Sequence, residues 1–352
     1  MSRSLADLPK AHLHLHFTGS MRHRTVLELA EEQGVRLPDS LTKDWPPRLS
    51  AADEKGWFRF QRLYDVARSV VRSEPAVRRL VREAAEDDAA EGSRWLELQV
   101  DPSGYASSFG GLTAFTELVL DAAATAGRET GVEVRIVIAA NRTRHPLDAR
   151  TLARLAAQYA GRGVVGFGLS ADERRGETPT FAKAFSIAER SGLLAVPHGG
   201  ELLGPVSVWS CLQALRARRL GHGVRSIEDP ALVAHLVEED ITLEVCPTSN
   251  VSLGLYQSIA DVPTRILFDA GVQIALGADD PLLFGSRLLD QYEGAKTVHG
   301  FSDEELAELA RMSVRGSTAP DDVQRKLLAG IDGWITPRSP ADSPNGPPPV
   351  TI

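Results

Sequence analysis

The chain has 352 residues, of which 43% are hydrophobic and 24% are charged, an ordinary composition for a globular protein. A formal net charge of −8 and an isoelectric point near 5.7 argue against a surface that binds nucleic acid or an anionic membrane. The N-terminus, MSRSLADLPK, lacks an apolar core segment, and no run of the chain approaches the roughly 20 apolar residues of a membrane span. Two cysteines, Cys211 and Cys246, are too few for a disulfide framework, so we expect a cytoplasmic protein.

Apolar runs rich in β-branched residues alternate with amphipathic stretches along most of the chain. Eight of these runs are predicted strands: Leu13–Phe17, Trp95–Val100, Val134–Ala140, Val164–Leu169, Leu193–His198, Leu220–Gly223, Ile241–Val245 and Ile274–Ala278. Helical patterns lie between them, among them Ala76–Glu91, Ala114–Gly127, Asp148–Gly161, Phe181–Ser191, Val206–Arg219 and Pro230–Glu239. This alternation predicts a parallel (β/α)8 TIM barrel of the α/β class. A doubly wound sheet is the alternative, but no Gly-rich phosphate turn follows the first strand.

The length allows two domains or one α/β barrel, and we predict a single barrel domain over residues 1–335. A long segment separates the first two predicted strands, and we expect residues 40–75 to form a lid-like insertion. It includes the helical stretch WFRFQRLYDVARSVVRS, whose aromatic residues either pack in the core or form a pocket wall. Residues 336–352 are rich in proline without a core pattern, and we expect them to be disordered.

In barrels of this kind, the side chains at the carboxyl ends of the strands carry function. The predicted strands one, five, six and eight all end in histidines or acids: His14 and His16, then His198 and Glu201 in PHGGE, then His222 in GHG, then Asp279 and Asp280 in GADDP. Each of these signals is weak when taken alone. The ordered set, with every member at a strand end, is specific.

These residues resemble the adenosine deaminase family of the amidohydrolase superfamily. The resemblance runs from about Leu8 to Leu328 and rests on the blocks LPKAHLHLHFTGS, VVGFGLSADE, PHGGE, LGHG, EVCPTSN and GADDPLLF. It implies hydrolytic deamination of an adenine ring by an enzyme with one catalytic Zn²⁺ per chain. Such a zinc takes three protein ligands with N and O donors, tolerates a weak fourth contact and leaves a position open for water. The implied ligands are His14, His16, His198 and Asp279.

His12 precedes the predicted ligand pair and is expected to lie outside the metal site. Residues i and i+2 of a strand lie about 7 Å apart, so His12 and His16 are separated by roughly 13 Å, too far to share one ion. We therefore expect His12 to be hydrogen-bonded one layer deeper, at a position where the family usually has an acid. A second metal is not expected, because the fourth predicted strand lacks the terminal lysine that bridges the ions of two-metal relatives.

The resemblance also implies roles for residues around the metal. His222 would orient the attacking water or take its proton, and Glu201 would protonate the ring nitrogen, which requires a raised pKa. Asp280 would hydrogen-bond the five-membered ring of the purine, and an amide of the Ser170–Ala171 turn would face the six-membered ring. The family has glycine where Ala171 stands. The unrelated deaminase design with PCxxC ligands is excluded, because the chain has no CxxC.

Thr18 and Arg22, which follow the histidines of the first predicted strand, bear on the identity of the substrate. Thr18 stands where adenosine-specific members have an acid that binds the 5′-hydroxyl, and Arg22 follows it. Because a guanidinium pairs with carboxylates, HFTGSMR resembles the branch that deaminates 6-aminodeoxyfutalosine, a carboxylated adenosine analogue of menaquinone biosynthesis. The alternative for Arg22 is a cap or an ion pair at the first helix.

Three other functions stay open at this point. The chain could deaminate adenosine, deoxyadenosine or methylthioadenosine to inosine-type products, it could be a metal-dependent amide or ester hydrolase, or it could be an inactive barrel that serves as a binding module. Asp280 and Glu201 favour purine chemistry, and the complete ligand set argues against an inactive barrel. The expected partner is therefore a small purine nucleoside.

Overall fold

The computed structural model describes residues 3–51 and 53–336. Eight strands follow one another in chain order, each parallel to the next. They are β1 (Lys10–His16), β2 (Ser93–Val100), β3 (Glu133–Asn141), β4 (Val164–Ser170), β5 (Leu194–Gly199), β6 (Arg219–His222), β7 (Thr242–Val245) and β8 (Gln273–Leu276). Most of their residues are buried, because a parallel barrel has helices outside and packed side chains inside.

The barrel closes between its first strand and the segment that follows its last. The backbone N–H of His16 donates to the carbonyl of Asp279 at 3.0 Å, and the N–H of Asp279 donates to the carbonyl of His14 at 3.0 Å. Next to them, the N–H of Ala278 donates to Nε2 of the His12 side chain at 3.1 Å. With this seam closed, the predicted (β/α)8 barrel is confirmed.

Helices connect the strands and continue after β8. They are α1 (His23–Glu32), α2 (Glu54–Ser69), α3 (Glu74–Ala90), α4 (Leu112–Thr130), α5 (Pro146–Gln158), α6 (Ala182–Glu189), α7 (Pro205–Leu215), α8 (Pro230–Glu238), α9 (Pro247–Ser252), α10 (Thr264–Asp269), α11 (Pro281–Phe284), α12 (Leu288–Thr297), α13 (Asp303–Arg315) and α14 (Asp321–Ile335). Several begin at a proline in the first turn, where a missing N–H costs no helical hydrogen bond. Others are capped by an acid or serine side chain, such as Asp53 for α2 and Ser302 for α13.

The segment between β1 and β2 contains α1, α2 and α3. Helix α3 packs beside β2 as an ordinary barrel helix, whereas α2 belongs to the residues predicted as a lid-like insertion. Trp57 and Phe60 of α2 face the cavity at the carboxyl end of the barrel, whereas Phe58 is exposed. The aromatic residues of this helix therefore divide between a pocket wall and the surface.

A chain of buried charges runs through the barrel interior below the strand ends. Arg219 of β6 pairs with Glu97 of β2 and, at 2.5 Å, with Glu244 of β7. The other oxygen of Glu244 lies 2.6 Å from Nδ1 of His14. Glu97 also accepts hydrogen bonds from the indole of Trp95 and from the backbone of Thr318, which saturates its carboxylate. The barrel interior below the strand ends is thus polar, and the guanidinium of Arg219 compensates the carboxylates on either side of it.

The element boundaries differ from the predicted ones by a few residues. Strand β1 begins at Lys10 rather than Leu13, because Lys10, Ala11 and His12 already pair with β2. Helix α7 ends at Leu215 rather than Arg219, because Arg216 adopts a left-handed conformation and Arg219 begins β6. The proline-rich tail predicted from residue 336 lies outside the described residues except for Thr336, which follows α14. No helix in the described ranges is both long and apolar enough to cross a membrane.

Candidate active site

Three histidines and an aspartate meet at the carboxyl end of the barrel. The ring nitrogens of His14 and His16 of β1 and His198 of β5 lie within 4.8 Å of one another. Oδ1 of Asp279, which follows β8, lies 3.5 Å from Nε2 of His14 and 3.2 Å from Nε2 of His16. All four residues that the sequence predicts as metal ligands are therefore brought together.

The donor set of this cluster fits a divalent metal ion. Nε2 of His14 is fully buried and has no hydrogen-bond partner among the described residues, as expected of a lone pair reserved for a ligand. The opposite nitrogen, Nδ1, donates to Glu244 at 2.6 Å, which fixes the ring orientation so that Nε2 is the nitrogen available to a metal ion. Ser249 donates to Oδ2 of Asp279 at 2.5 Å and fixes the carboxylate in the same way. Nitrogen and oxygen donors of this kind suit zinc and similar ions.

The electrostatics of the cluster favour a positive charge. Burial alone would lower the pKa of His14, but its hydrogen bonds with Asp279 and Glu244 outweigh burial and raise that pKa to about 10. Burial likewise opposes ionisation of Asp279, yet hydrogen bonds from His14 and His16 hold its pKa well below the usual value. The site therefore contains a carboxylate and stabilises a cation, which a metal ion would supply in place of the proton.

Glu201 and His222 lie together next to the cluster. Nε2 of His222 is 3.7 Å from Oε1 of Glu201 and 4.0 Å from Oδ2 of Asp279. Burial raises the pKa of Glu201 well above its ordinary value, and the nearby carboxylate of Asp279 raises it further. Burial lowers the pKa of His222 to about 3. The pair thus combines a carboxyl whose raised pKa favours the protonated form, which can donate a proton, with a neutral imidazole, which can accept one.

Asp280 lies on the same side of the cavity as Asp279. It is buried, and its Oδ1 lacks a hydrogen-bond partner among the described residues. Burial raises its pKa to about 7. A Cβ at Gly19 would lie 1.7 Å from that oxygen, so only glycine leaves room for Asp280 at this point. The arrangement leaves one carboxyl oxygen available to a ligand.

Three predicted site residues adopt the left-handed backbone region that non-glycine residues rarely occupy. The φ angles are +76° for Ala171, +62° for His222 and +61° for Asp279. Such conformations cost about 1–3 kcal/mol each and cluster at functional sites. Ala171 therefore retains the backbone geometry that glycine would adopt in this turn, and Ser170 and Ala171 both line the cavity.

The cluster lies at the floor of a cavity at the carboxyl end of the barrel. One face of α2 forms its outer wall through residues spaced three to four apart: Trp57, Phe60, Gln61, Tyr64 and Arg68. Thr18 and Tyr105 also line the cavity, with 2.5 Å between their hydroxyl oxygens. The floor is thus charged and the outer part is aromatic with hydroxyl groups.

Arg22 does not reach this cavity, which corrects the prediction that it binds a substrate carboxylate. Its guanidinium pairs with Asp87 at 2.7 Å and with Glu86 at 3.0 Å, both on α3. The carboxylate of Glu83 lies 3.9 Å away on the same helix. Arg22 is also the residue before α1 and makes no capping hydrogen bond with its side chain, so its ion pairs connect the start of α1 to α3.

The arginine that does line the cavity is Arg68 of α2. Its guanidinium lies 5.2 Å from the centroid of the Tyr64 ring and 3.1 Å from Asp65. Sequence reasoning overlooked Arg68, Glu244 and Ser249, because none belongs to a spacing pattern of metal ligands. Arg68 could have been found from the four-residue interval that separates it from Tyr64, because that interval places both residues on one face of a helix in the predicted lid-like insertion.

His12 lies outside the cluster, as predicted. Its Nδ1 donates to Asp88 of α3 at 3.0 Å, and its Nε2 accepts from the backbone of Ala278. Both ring nitrogens are therefore engaged one layer below the ligands.

The barrel and its floor define a class of protein: hydrolytic enzymes that carry a candidate metal site at the carboxyl ends of eight parallel strands. The family model described as adenosine deaminase matches residues 9–334. The chain belongs to the adenosine deaminase family.

Relatives within the family carry different names. A Streptomyces virginiae protein provisionally named adenosine/adenine deaminase is 65% identical over 95% of this chain and 99% of its own length. The aminodeoxyfutalosine deaminase of Streptomyces avermitilis is 36% identical, over 95% of this chain and 94% of its own. The crystal structure of adenine deaminase from Arthrobacter aurescens superposes with a TM-score of 0.86 at 30% identity, covering 93% of this chain and 99% of that one. The family is therefore one of hydrolytic adenine-type deaminases.

Proposed function

We propose that this chain is a zinc-dependent purine nucleoside deaminase that replaces the 6-amino group of an adenine ring with oxygen and holds one Zn²⁺ per chain. The observation that carries the proposal is the placement of Glu201, whose pKa is raised, and a neutral His222 beside the cluster of His14, His16, His198 and Asp279. The reaction consumes one water and releases one ammonia.

The proposed ligands would hold the ion through Nε2 of His14, the nitrogens of His16 and His198, and a carboxylate oxygen of Asp279. When bound, the ion supplies a water acidic enough to attack carbon six at neutral pH.

The protein's own groups then move the protons. His222 is neutral and accepts a proton or a hydrogen bond from the attacking water. Glu201 donates its proton to the ring nitrogen beside carbon six, which allows attack on an aromatic ring. The amino group leaves as ammonia after it gains a proton, and a 6-oxopurine remains.

Recognition of the ring falls to two groups on opposite sides of the cavity. The free Oδ1 of Asp280, whose pKa is raised to about 7, donates a hydrogen bond from the protonated carboxyl to N7 of the five-membered ring. The backbone amide in the Ser170–Ala171 turn faces the six-membered ring, and the positive φ of Ala171 keeps it turned towards the cavity. Phe17, Trp57 and Phe60 supply apolar wall around the base.

For the rest of the substrate we propose a nucleoside such as adenosine. The hydroxyls of Thr18 and Tyr105 and the nearby ring of Tyr64 form a neutral polar surface in the outer cavity, which suits the hydroxyls of ribose. The 65% identical relative is named as an adenosine/adenine deaminase, and this name supports the same substrate class.

A second candidate is 6-aminodeoxyfutalosine, and one observation favours it. Arg68 brings a guanidinium to the outer cavity, where a carboxylate at the 5′ side of the nucleoside would meet it. A charge-assisted contact of this kind is worth about 1.5–3 kcal/mol. Arg68 takes over here the role that the sequence suggested for Arg22.

The test is an ultraviolet and ammonia-release assay with zinc-loaded enzyme on adenine, adenosine, methylthioadenosine and 6-aminodeoxyfutalosine. We expect adenosine to have the highest kcat/KM. If Arg68→Met lowers kcat/KM about 10- to 150-fold for 6-aminodeoxyfutalosine and leaves kcat/KM for adenosine unchanged, 6-aminodeoxyfutalosine becomes the favoured substrate. Arg22→Met is the matched control and should affect neither substrate selectively. Absence of ammonia release from all four substrates would refute the proposed function.

A further inference from the structure

Glu173 is a buried carboxylate whose partners belong to the loop that carries Glu201 and to the first turn of α7. It lies just after the Ser170–Ala171 turn, and no role was assigned to it from the sequence. Its Oε1 accepts from the N–H of Gly200 at 2.6 Å and from the hydroxyl of Ser207. Its Oε2 accepts from three further backbone N–H groups, those of Glu201, Leu202 and Leu203, at 3.0, 2.6 and 2.9 Å.

Four successive backbone N–H groups that point at one carboxylate form a built anion site. The loop between β5 and α7 is neither helix nor strand, so these amides have no partners within a regular element. Among the described residues, no arginine, lysine or histidine forms an ion pair with Glu173, so the amides and one hydroxyl are its direct partners. Arg225 also holds the loop by donating to the carbonyl of Leu202 at 2.9 Å, but Glu173 is the side chain that binds its four amides.

We propose that Glu173 is a positioning residue that fixes the Glu201 loop and thereby aims the Glu201 carboxyl at the substrate. The inference rests on the proposed function of Glu201 as the proton donor. The amide of Glu201 is itself bound by Glu173, and Gly200 beside it has a φ of +73°, so the chain turns sharply at the point where the donor leaves the strand. A displacement of about 1 Å at a proton donor can cost roughly 10²-fold in rate.

Substitution of Glu173 should act through Glu201 and not through the metal. In Glu173→Gln, one oxygen becomes an amide group that cannot accept from the loop, so either three N–H groups or one N–H group and the Ser207 hydroxyl lose their acceptor. We expect kcat to fall about 10²-fold, with KM and zinc content close to those of the parent enzyme. Glu173→Asp keeps the charge and should retain more of the rate. Ser207→Ala removes a single donor and is the matched control, with a change below threefold.

A double-mutant cycle distinguishes positioning from general destabilisation. If Glu173 works through Glu201, Glu173→Gln should lower kcat little further in an enzyme that already carries Glu201→Gln. An equal fold-loss in both backgrounds would overturn the proposal.

Amide hydrogen exchange on the unmodified protein tests the arrangement without relying on activity. The amides of residues 200–203 should exchange slowly although they lie outside helices and strands. Exchange as fast as in an exposed loop would overturn the proposal even if Glu173→Gln failed to fold. Slow exchange in a protein that deaminates no purine would instead refute the proposed function and leave the Glu173 loop contact standing.

Discussion

Glu201 lies in the buried floor of the cavity, where solvent cannot stabilise its negative charge. Because burial raises its pKa, the carboxyl holds its proton more tightly than an exposed glutamate does, as a proton donor to the ring requires. Glu201→Gln keeps the size and the hydrogen-bond donor of the side chain but has no proton to give. We expect unchanged zinc content and purine binding with kcat lowered by at least roughly 10²-fold. Steady-state kinetics with metal analysis provide the measurement, and near-normal turnover would assign the proton donor elsewhere.

Lys10 gives a pH dependence of stability. It is fully buried at the start of β1, where its ammonium donates to the carbonyls of Leu5 and Glu91. Burial lowers its pKa to about 7, although the charges of Glu91 and Asp88 oppose the shift. Between pH 7 and the ordinary pKa of 10.5, the unfolded chain therefore binds more protons than the folded one, and the contribution of Lys10 to stability rises with pH.

We expect this contribution to reach about 1.4 kcal/mol per pH unit within that window. Denaturant unfolding at pH 7, 8 and 9 should show a steeper rise for the parent protein than for Lys10→Met, which has no group to titrate there. The comparison uses slopes because the variant also leaves two carbonyls unpaired. Parallel slopes would mean that Lys10 keeps its ordinary pKa in the fold.

At the scale of elements, α2 carries much of the specificity surface although it lies outside the repeating strand-and-helix units. Its N-terminus is held by Asp53, whose carboxylate accepts from the N–H of Gly56 at 2.6 Å. Asp53→Ala should cost about 1 kcal/mol and make amide exchange in α2 about fivefold faster. Because Phe60, Tyr64 and Arg68 move with the helix, KM should rise while kcat changes little.

The matched control is Ser302→Ala, which removes the corresponding cap of α13 on the other side of the β1–β8 seam. It should lower thermal stability by a similar amount and leave KM and α2 exchange unchanged. If KM rises as much in the control as in Asp53→Ala, the increase of KM does not come from a loss of order in α2.

The strands and most helices of the barrel could be predicted from the sequence, because strands buried on both faces appear as continuous apolar runs. The ligand set could be predicted for a related reason: the carboxyl ends of parallel strands meet on one rim, so strand-end residues are neighbours. Arg22 could not be assigned in this way. Its partners Asp87 and Glu86 lie on another helix, and local spacing carries no information about which side chain a long arginine will meet.

Glu173 and Glu244 were missed on the same grounds. Each acts on a predicted site residue through a contact between different strands: Glu173 follows β4 and binds the loop after β5, and Glu244 of β7 binds His14 of β1. The sequence shows both as single acids near strand ends, without a pattern. Only the closed barrel places them beside their partners.

For the whole molecule, the candidate ligands join three parts of the barrel: β1, β5 and the segment after β8. An ion bound there stabilises only the folded state, by about 2.7 kcal/mol at a concentration one hundred times its dissociation constant. Treatment with a chelator should lower the melting temperature, and added zinc should restore it. His198→Ala lacks one ligand and should respond to neither. A parent protein whose melting temperature ignores both treatments would contradict the assignment of the cluster as a metal site.

The seam at Asp279 also orders events during synthesis. His14 and His16 emerge from the ribosome first, whereas His198 follows much later and Asp279 last. Until β8 has aligned with β1, a nascent chain offers an ion two neighbouring imidazoles and no closed cavity. It has neither the carboxylate that completes the donor set nor the backbone bonds between His16 and Asp279 that hold the first and last strands together. We therefore expect an ion to bind only once the two ends of the barrel have joined, and we expect a truncated chain that ends before β8 to be inactive.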